Sequence, residues 1–422
     1  MRTYLIPAPA IQKTLPTLPD QLVQIAVDHS AAITLALLEP ERTWLAWCDG
    51  GELARAPLGG SGAGLKPEDA VARCLGELAE ICAFAGYDRD HAHLTLSACA
   101  RDLGEDPNRL FCLSQAQRYQ RQELNQFWRD YDWLPPLLPH DAPMDWVHLP
   151  CLNSDAELLL PAAFCRRRPA NFDDDGIPAI LDSNGCAASA SLAGARAHAL
   201  LELIERDATA RWWYGGAPAC QVDPECLGDR LVRWSKAKAR RRSVIFLRLA
   251  DLADVCTIVA ISAEEDGTCL ALGAASALDV QDASERAWLE MVRGEIAWAA
   301  RHGAVLQNAA YPARHEDQRA FWWSEMAAPV IQRLKNRTYR NTNAPTNSTA
   351  AALPESMLDG LLRALSTREI WVYEQELQQI IPGLEVTRLV APGLVHIKPR
   401  LAHPSLTSQS HGRPWNSLPL LV

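Results

Sequence analysis

Residues 199–213 read ALLELIERDATARWW and set two carboxylates, Glu202 and Glu205, among Leu200, Leu201, Leu203 and Ile204. On a helix, positions i and i+3 are neighbours, so the two acids lie side by side on one face. Their apolar flanks call for burial, and buried like charges demand a cationic counterpart: an arginine, a structural ion pair or a metal ion. A second segment repeats the scheme. GGSGAGLKPEDAVARCLGELAEI (59–81) and DSNGCAASASLAGARAHALLELIER (182–206) each run from small residues into a helix start and on to Glu-x-x-Glu. Glu77 and Glu80 thereby correspond to Glu202 and Glu205. Two such units facing each other would gather four carboxylates, a donor set suited to polyphosphate carried on Mg²⁺, which takes carboxylate and phosphate oxygens together. A third helix places Arg286 and Glu290 at i,i+4 with Arg293 nearby, and an arginine fork there could contact phosphate oxygens. The small-residue stretch GGSGAG reads as a loop whose N–H groups could cradle phosphate, although it lacks the Lys-Ser/Thr of a P-loop.

The elements that must position these groups follow from periodicity and capping. Helices are expected over 66–86 (Pro67 near the start, Gly86 as the stop), 191–216 (from Ser191), 282–303 (Asp282 to Gly303) and 352–369. Strand-like runs occupy 93–99, 243–249, 255–262, 268–276, 369–374 and 385–397. Uneven alternation of the two favours a mixed α/β, or α+β, architecture. Residues 304–350 are polar and poorly patterned and read as a surface excursion. KAKARRR (236–242) reads as a solvated helix end, and His91 and His93 as surface residues.

The chain has 422 residues, 48% of them apolar, and a net charge of −10, so it can bury a large core and carries no basic field for nucleic acid. No apolar run approaches the roughly 20 residues needed to span a membrane, and the proline-rich N-terminus does not resemble a signal peptide. Twelve cysteines occur without a CxxC pair or zinc-type spacing, as expected of buried, reduced thiols in a cytoplasmic protein.

DSNGCAASASLAGARAHALLELIERDATARWWY resembles the YcaO superfamily, whose signature reads SNGxAxGxTxxEAxxxxxxExxER. Collinear likenesses follow in SGAGLKPEDAVARCLGELAE, MDWVHLPCLNSDAELLLPAAF, GAASALDVQDASERAWLEMVRGE and VTRLVAPGL, covering roughly 45–400. The resemblance implies a YcaO-like fold with internally duplicated helix–sheet halves around a nucleotide site. It gives an N-terminal extension or start of the domain (1–45), a YcaO domain (46–400, halves about 46–170 and 171–400) and a C-terminal tail (401–422). The implied activity is that of an azoline-forming cyclodehydratase using ATP and Mg²⁺. A Cys, Ser or Thr side chain of a ribosomally made peptide attacks the preceding carbonyl, and the resulting oxygen is phosphorylated and leaves as phosphate. The implied metal ligands are Glu77, Glu80, Glu202, Glu205 and Glu290, and Ser61, Arg206 and Arg286 would bind ATP phosphates. Implied partners are the precursor peptide, a separate leader-binding subunit, a flavin oxidase where azoles are made, and a second copy of the chain in a homodimer within the complex.

The chain departs from the pattern at several positions. Gly194 stands where the family has a metal-binding acid, Ala190 where it usually has Asn, and Ala63 where a basic residue often lies between the loop glycines. Ile81 and Arg293 replace an arginine and a glutamine, and the GRPWNSLPLLV tail keeps only Pro414 and Pro419 of a Pro-x-Pro-x-Pro ending. Three readings result: a divergent cyclodehydratase, a scaffold subunit that has lost ATP chemistry, and a thioamide- or amidine-forming relative. The surviving five acids rank the first ahead.

Overall fold

Glycine and proline punctuate the first seventy residues, yet the chain there builds strands. In the computed structural model the described residues are 2–29, 31–38, 42–53, 56–90, 95–110, 137–165, 183–238, 242–265, 269–307, 354–377 and 381–397. In chain order the first elements are β1 (Arg2–Ile6), α1 (Ile11–Thr14), α2 (Asp20–Asp28), β2 (Ala32–Leu38), β3 (Thr43–Leu53), β4 (Ala56–Gly64) and α3 (Pro67–Asp90). Next come β5 (Thr95–Cys99), α4 (Ala100–Leu103), β6 (Pro143–Pro150), β7 (Glu157–Pro161), β8 (Cys186–Ser189) and α5 (Leu192–Trp213). The remainder is β9 (Cys220–Gln221), α6 (Gly228–Lys238), β10 (Ser243–Arg248), β11 (Cys256–Ala263), β12 (Ala271–Ala277), α7 (Val280–Gln307), α8 (Pro354–Ser366), β13 (Tyr373–Glu376) and β14 (Glu385–Val390).

The chain divides into two compact units: Met1–Phe111, Pro135–Leu203 and Ala351–Leu394, and then Cys112–Leu134, Ile204–Ala350 and Val395–Val422. The first unit holds three antiparallel sheets in the orders β1-β2-β3-β4, β5-β6-β7 and β13-β14-β8. Alternation decides which side of the first sheet is buried. Ile33, Leu35, Ala46 and Cys48 pack on Ala70, Val71, Cys74, Leu75 and Leu78 of α3. Residues 1–45 thus supply β1, β2 and the start of β3 to that sheet. The second unit has one antiparallel sheet, β12-β11-β10-β9, whose strands β11 and β12 are buried along their whole length. Its core includes Trp212, Trp213 and Tyr214 at the end of α5.

Caps explain where the two site helices begin. The Ser191 hydroxyl accepts from Gly194 N–H at 3.1 Å, which makes Ser191 the N-cap of α5. On α7 the cap is Asp279, three residues earlier than Asp282, its carboxylate accepting from Gln281 and Asp282 N–H at 2.9 and 3.0 Å. α7 also runs through Gly303 to Gln307, because a helix tolerates an interior glycine at about 1 kcal/mol. The remainder of the expected 304–350 excursion and the 401–422 tail lie outside the described residues. The cysteines among the described residues are all free. Among the described residues no helix is long and apolar enough to cross a membrane.

Candidate functional site

GGSGAG is a strand, and this corrects its reading as a phosphate loop. Gly60, Gly62 and Gly64 of β4 face α3, and a Cβ on Gly60 or Gly62 would stand 2.1 Å from Cys74 O or 2.2 Å from Ala70 O. The glycines let strand and helix backbones touch. Ser61 lies on this edge strand, and both its N–H and its hydroxyl donate to Glu77 Oε2, at 2.8 and 3.1 Å.

One turn along α3, Glu80 Oε1 accepts from Ala188 N–H of β8 at 3.0 Å, a contact across 108 residues of sequence. Glu202 of α5 accepts from Gly185 N–H at 3.2 Å. Gly185 has φ +79°, and a Cβ there would lie 2.4 Å from Leu389 O, so the turn before β8 requires glycine. Burial first, then the charges of Glu202 and Glu77, push the Glu80 carboxyl well above the usual carboxylate range. The residue as a whole is half-buried by surface area, while its carboxyl group lies deep among protein atoms. The first unit therefore brings Glu77, Glu80, Glu202 and Ser61 into one electrostatic neighbourhood.

Gly194 has its own explanation. A Cβ at that position would stand 2.5 Å from Ser189 Oγ, so a hydroxyl occupies the space that a longer side chain would need. Ala63 is buried on β4, and Ala190 is exposed in the turn before α5.

The second unit contains Glu205, Arg206, Arg286 and Glu290. Arg206 approaches Glu205 at 3.8 Å. Arg286 pairs with Asp282, at 2.9 and 2.8 Å, rather than with Glu290, so the i,i+4 rule operates toward the helix start. Glu290 lies 3.9 Å from Arg293. Sequence reasoning missed Arg196, Glu374 and Thr387. Arg196 of α5 grips Glu374 of β13 with both arms of its guanidinium, and Thr387 of β14 donates to the same carboxylate. Its one sequence signal is a lone arginine in an alanine-rich stretch of helix.

Among the described residues no group of three or more His, Cys, Asp or Glu side chains is arranged to hold a metal ion. Mg²⁺ does not require such a cage, since it is commonly held by one or two carboxylates, waters and substrate phosphates. An all-oxygen cluster with one carboxyl forced upward by burial and then by neighbouring charge has the chemistry that a divalent cation relieves.

The family model described as YcaO cyclodehydratase, binding ATP and Mg²⁺, matches residues 61–395. The chain belongs to the YcaO family. A heterocyclase in complex with substrate and cofactor superposes with a TM-score of 0.70 at 19% identity, covering 92% of this chain. This chain spans about half of that protein, 53% of its length. The Methanopyrus kandleri YcaO bound with AMPPCP and Mg²⁺ gives 0.62 at 13% identity, covering 97% of this chain and 96% of that one. The E. coli microcin synthetase McbBCD complex gives 0.60 at 13% identity, covering 92% and 96%. These likenesses establish the YcaO fold, a mixed α+β architecture.

Proposed function

We propose that this YcaO-family chain uses ATP and Mg²⁺ to activate backbone amides of a ribosomally made peptide, forming thiazoline or oxazoline rings. The observation that carries the reading is the Glu77–Glu80–Glu202 cluster in a member of a family described as ATP- and Mg²⁺-binding. Glu77, Glu80 and Glu202 would hold Mg²⁺, and the family resemblance adds Glu205 and Glu290. Ser61, Arg206 and Arg286 are the proposed phosphate contacts. When bound, Mg²⁺-ATP supplies the phosphoryl group that turns an amide oxygen into a leaving group. The protein supplies position and charge. Ser61 fixes Glu77 against the β4 edge, Ala188 N–H fixes Glu80, and Gly185 N–H fixes Glu202. Carboxylates tethered this way need no rearrangement when charge develops, which is where preorganised sites gain rate.

The peptide substrate and separate partner subunits are supported by the structural relatives, one a heterocyclase in complex with substrate and another a synthetase complex. A leader-binding subunit, a flavin oxidase and a homodimer complete the assembly we propose, in the cytoplasm. A scaffold reading draws on Gly194, whose space Ser189 fills.

Isotope transfer tests the reaction. Cys-, Ser- and Thr-containing peptides carrying ¹⁸O at their backbone carbonyls are incubated with the protein, ATP and Mg²⁺. Amide activation moves ¹⁸O into the released phosphate with loss of water mass from the peptide. Phosphate bearing only solvent oxygen, with the peptide unchanged, would overturn it.

A further inference from the structure

We infer that the Arg196–Glu374 pair is a positioning clamp that sets the register of α5 and so places Glu202. Glu374 is 3% exposed, and a carboxylate that buried must be compensated. It is, by three donors: Arg196 Nε at 2.8 Å, the outer guanidinium nitrogen at 2.5 Å and the Thr387 hydroxyl at 2.8 Å. The bond to Glu374 in turn raises the Arg196 guanidinium above its ordinary value, with Glu376 adding to it.

A reason for the clamp lies in how this stretch of α5 is packed. Residues 193–199 read AGARAHA, and Ala195, Ala197 and Ala199 are fully buried. Methyl groups make shallow ridges, so this half of α5 has few knobs to stop it sliding along its neighbours. A bidentate guanidinium–carboxylate pair has a fixed geometry, and setting register is the best-attested use of a buried ion pair. Glu202 lies six residues further on, about 9 Å along the axis at the helical rise. There its carboxylate must meet Gly185 N–H and share its surroundings with Glu80. A slip of one residue shifts that carboxylate by about 1.5 Å along the axis and turns it by about 100°, which breaks the contact.

The consequence for ligand binding rests on the nucleotide reading above, whereas the register claim does not. Two variants separate them. Arg196→Lys keeps the charge without the fork, and Arg196→Met combined with Glu374→Met removes the pair without leaving a buried charge. For each, three quantities are measured: the unfolding midpoint, amide hydrogen exchange at Gly185 and Ala188 without ligand, and calorimetric binding of Mg²⁺ with a non-hydrolysable ATP analogue. In the double variant we expect a near-native midpoint, faster exchange at Gly185 by roughly tenfold or more, and Mg²⁺-analogue binding weakened roughly 10- to 100-fold, as for lost outer-shell support of a ligand. Arg196→Lys should fall between it and the wild type. Native exchange at Gly185 in the double variant overturns the clamp. So does exchange that rises only in step with a falling midpoint. If the wild type binds no Mg²⁺-analogue while Gly185 still exchanges faster in the double variant, the clamp stands and the nucleotide reading fails.

Discussion

The molecule uses one packing device twice, and the two uses differ in charge. In the first unit β4 lies on α3 through Gly60, Gly62 and Gly64; in the second β12 lies on α7 through Gly273, where a Cβ would meet Ala287 O and Met291 N at 2.2 Å. Both helices carry a glutamate beside the contact, Glu77 on α3 and Glu290 on α7. On α3 the acids are tied to backbone amides and crowd one another. On α7, Arg286 is matched by Asp282 and Glu290 lies beside Arg293. Equivalent packing therefore frames an anionic cluster in one place and locally balanced charge in the other. Close backbone contact is a general scaffold, and the side chains around it decide whether a cation is wanted.

The strongest way to break the comparison is to fill the glycines. Gly62→Ala and Gly273→Ala each push a methyl group into helix backbone, and each should cost about 3 kcal/mol by urea unfolding at unchanged slope. A loss below about 0.5 kcal/mol in either would mean that its strand is not seated on its helix. Gly76, on α3 but with nothing within 4 Å of its Cβ direction, gives the contrast. Gly76→Ala should stabilise by about 1 kcal/mol through helix propensity alone.

A pH series sharpens the charge difference. Glu80 is raised in the folded state, so the native protein holds a proton that the unfolded chain has released. Stability of the ligand-free protein should fall as pH rises from the ordinary carboxylate value through the raised one. Thermal melts should show this slope in the wild type, with Glu80→Gln flattening it and Mg²⁺ opposing it. An identical slope in Glu80→Gln would assign it elsewhere. The smallest effect is expected on α7. Arg286 and Asp282 are 42% and 47% exposed, and Asp282→Asn should change stability by less than about 0.5 kcal/mol, shrinking further with salt.

Local rules read much of this from sequence. Capping and periodicity located α3, α5, α7 and α8, and the Glu-x-x-Glu repeat singled out Glu77, Glu80 and Glu202, which cluster, together with Glu205, which belongs to the other unit. GGSGAG misled because its glycines serve tertiary contact, and single-residue preference cannot tell a strand pressed on a helix from a turn. Spacing alone could not choose a partner for Arg286, since acids lie four residues away on both sides, at Asp282 and Glu290. Glu80 with Ala188 and Arg196 with Glu374 were illegible, being joined only when segments 108 and 178 residues apart are brought together.

The most direct test of the account is calorimetric titration of the purified chain with Mg²⁺ and a non-hydrolysable ATP analogue, beside Glu202→Gln. The account predicts saturable binding in the wild type, weakened at least tenfold in Glu202→Gln while the unfolding midpoint is kept. Absence of binding in the wild type, or equal binding in Glu202→Gln, would contradict a carboxylate-held nucleotide.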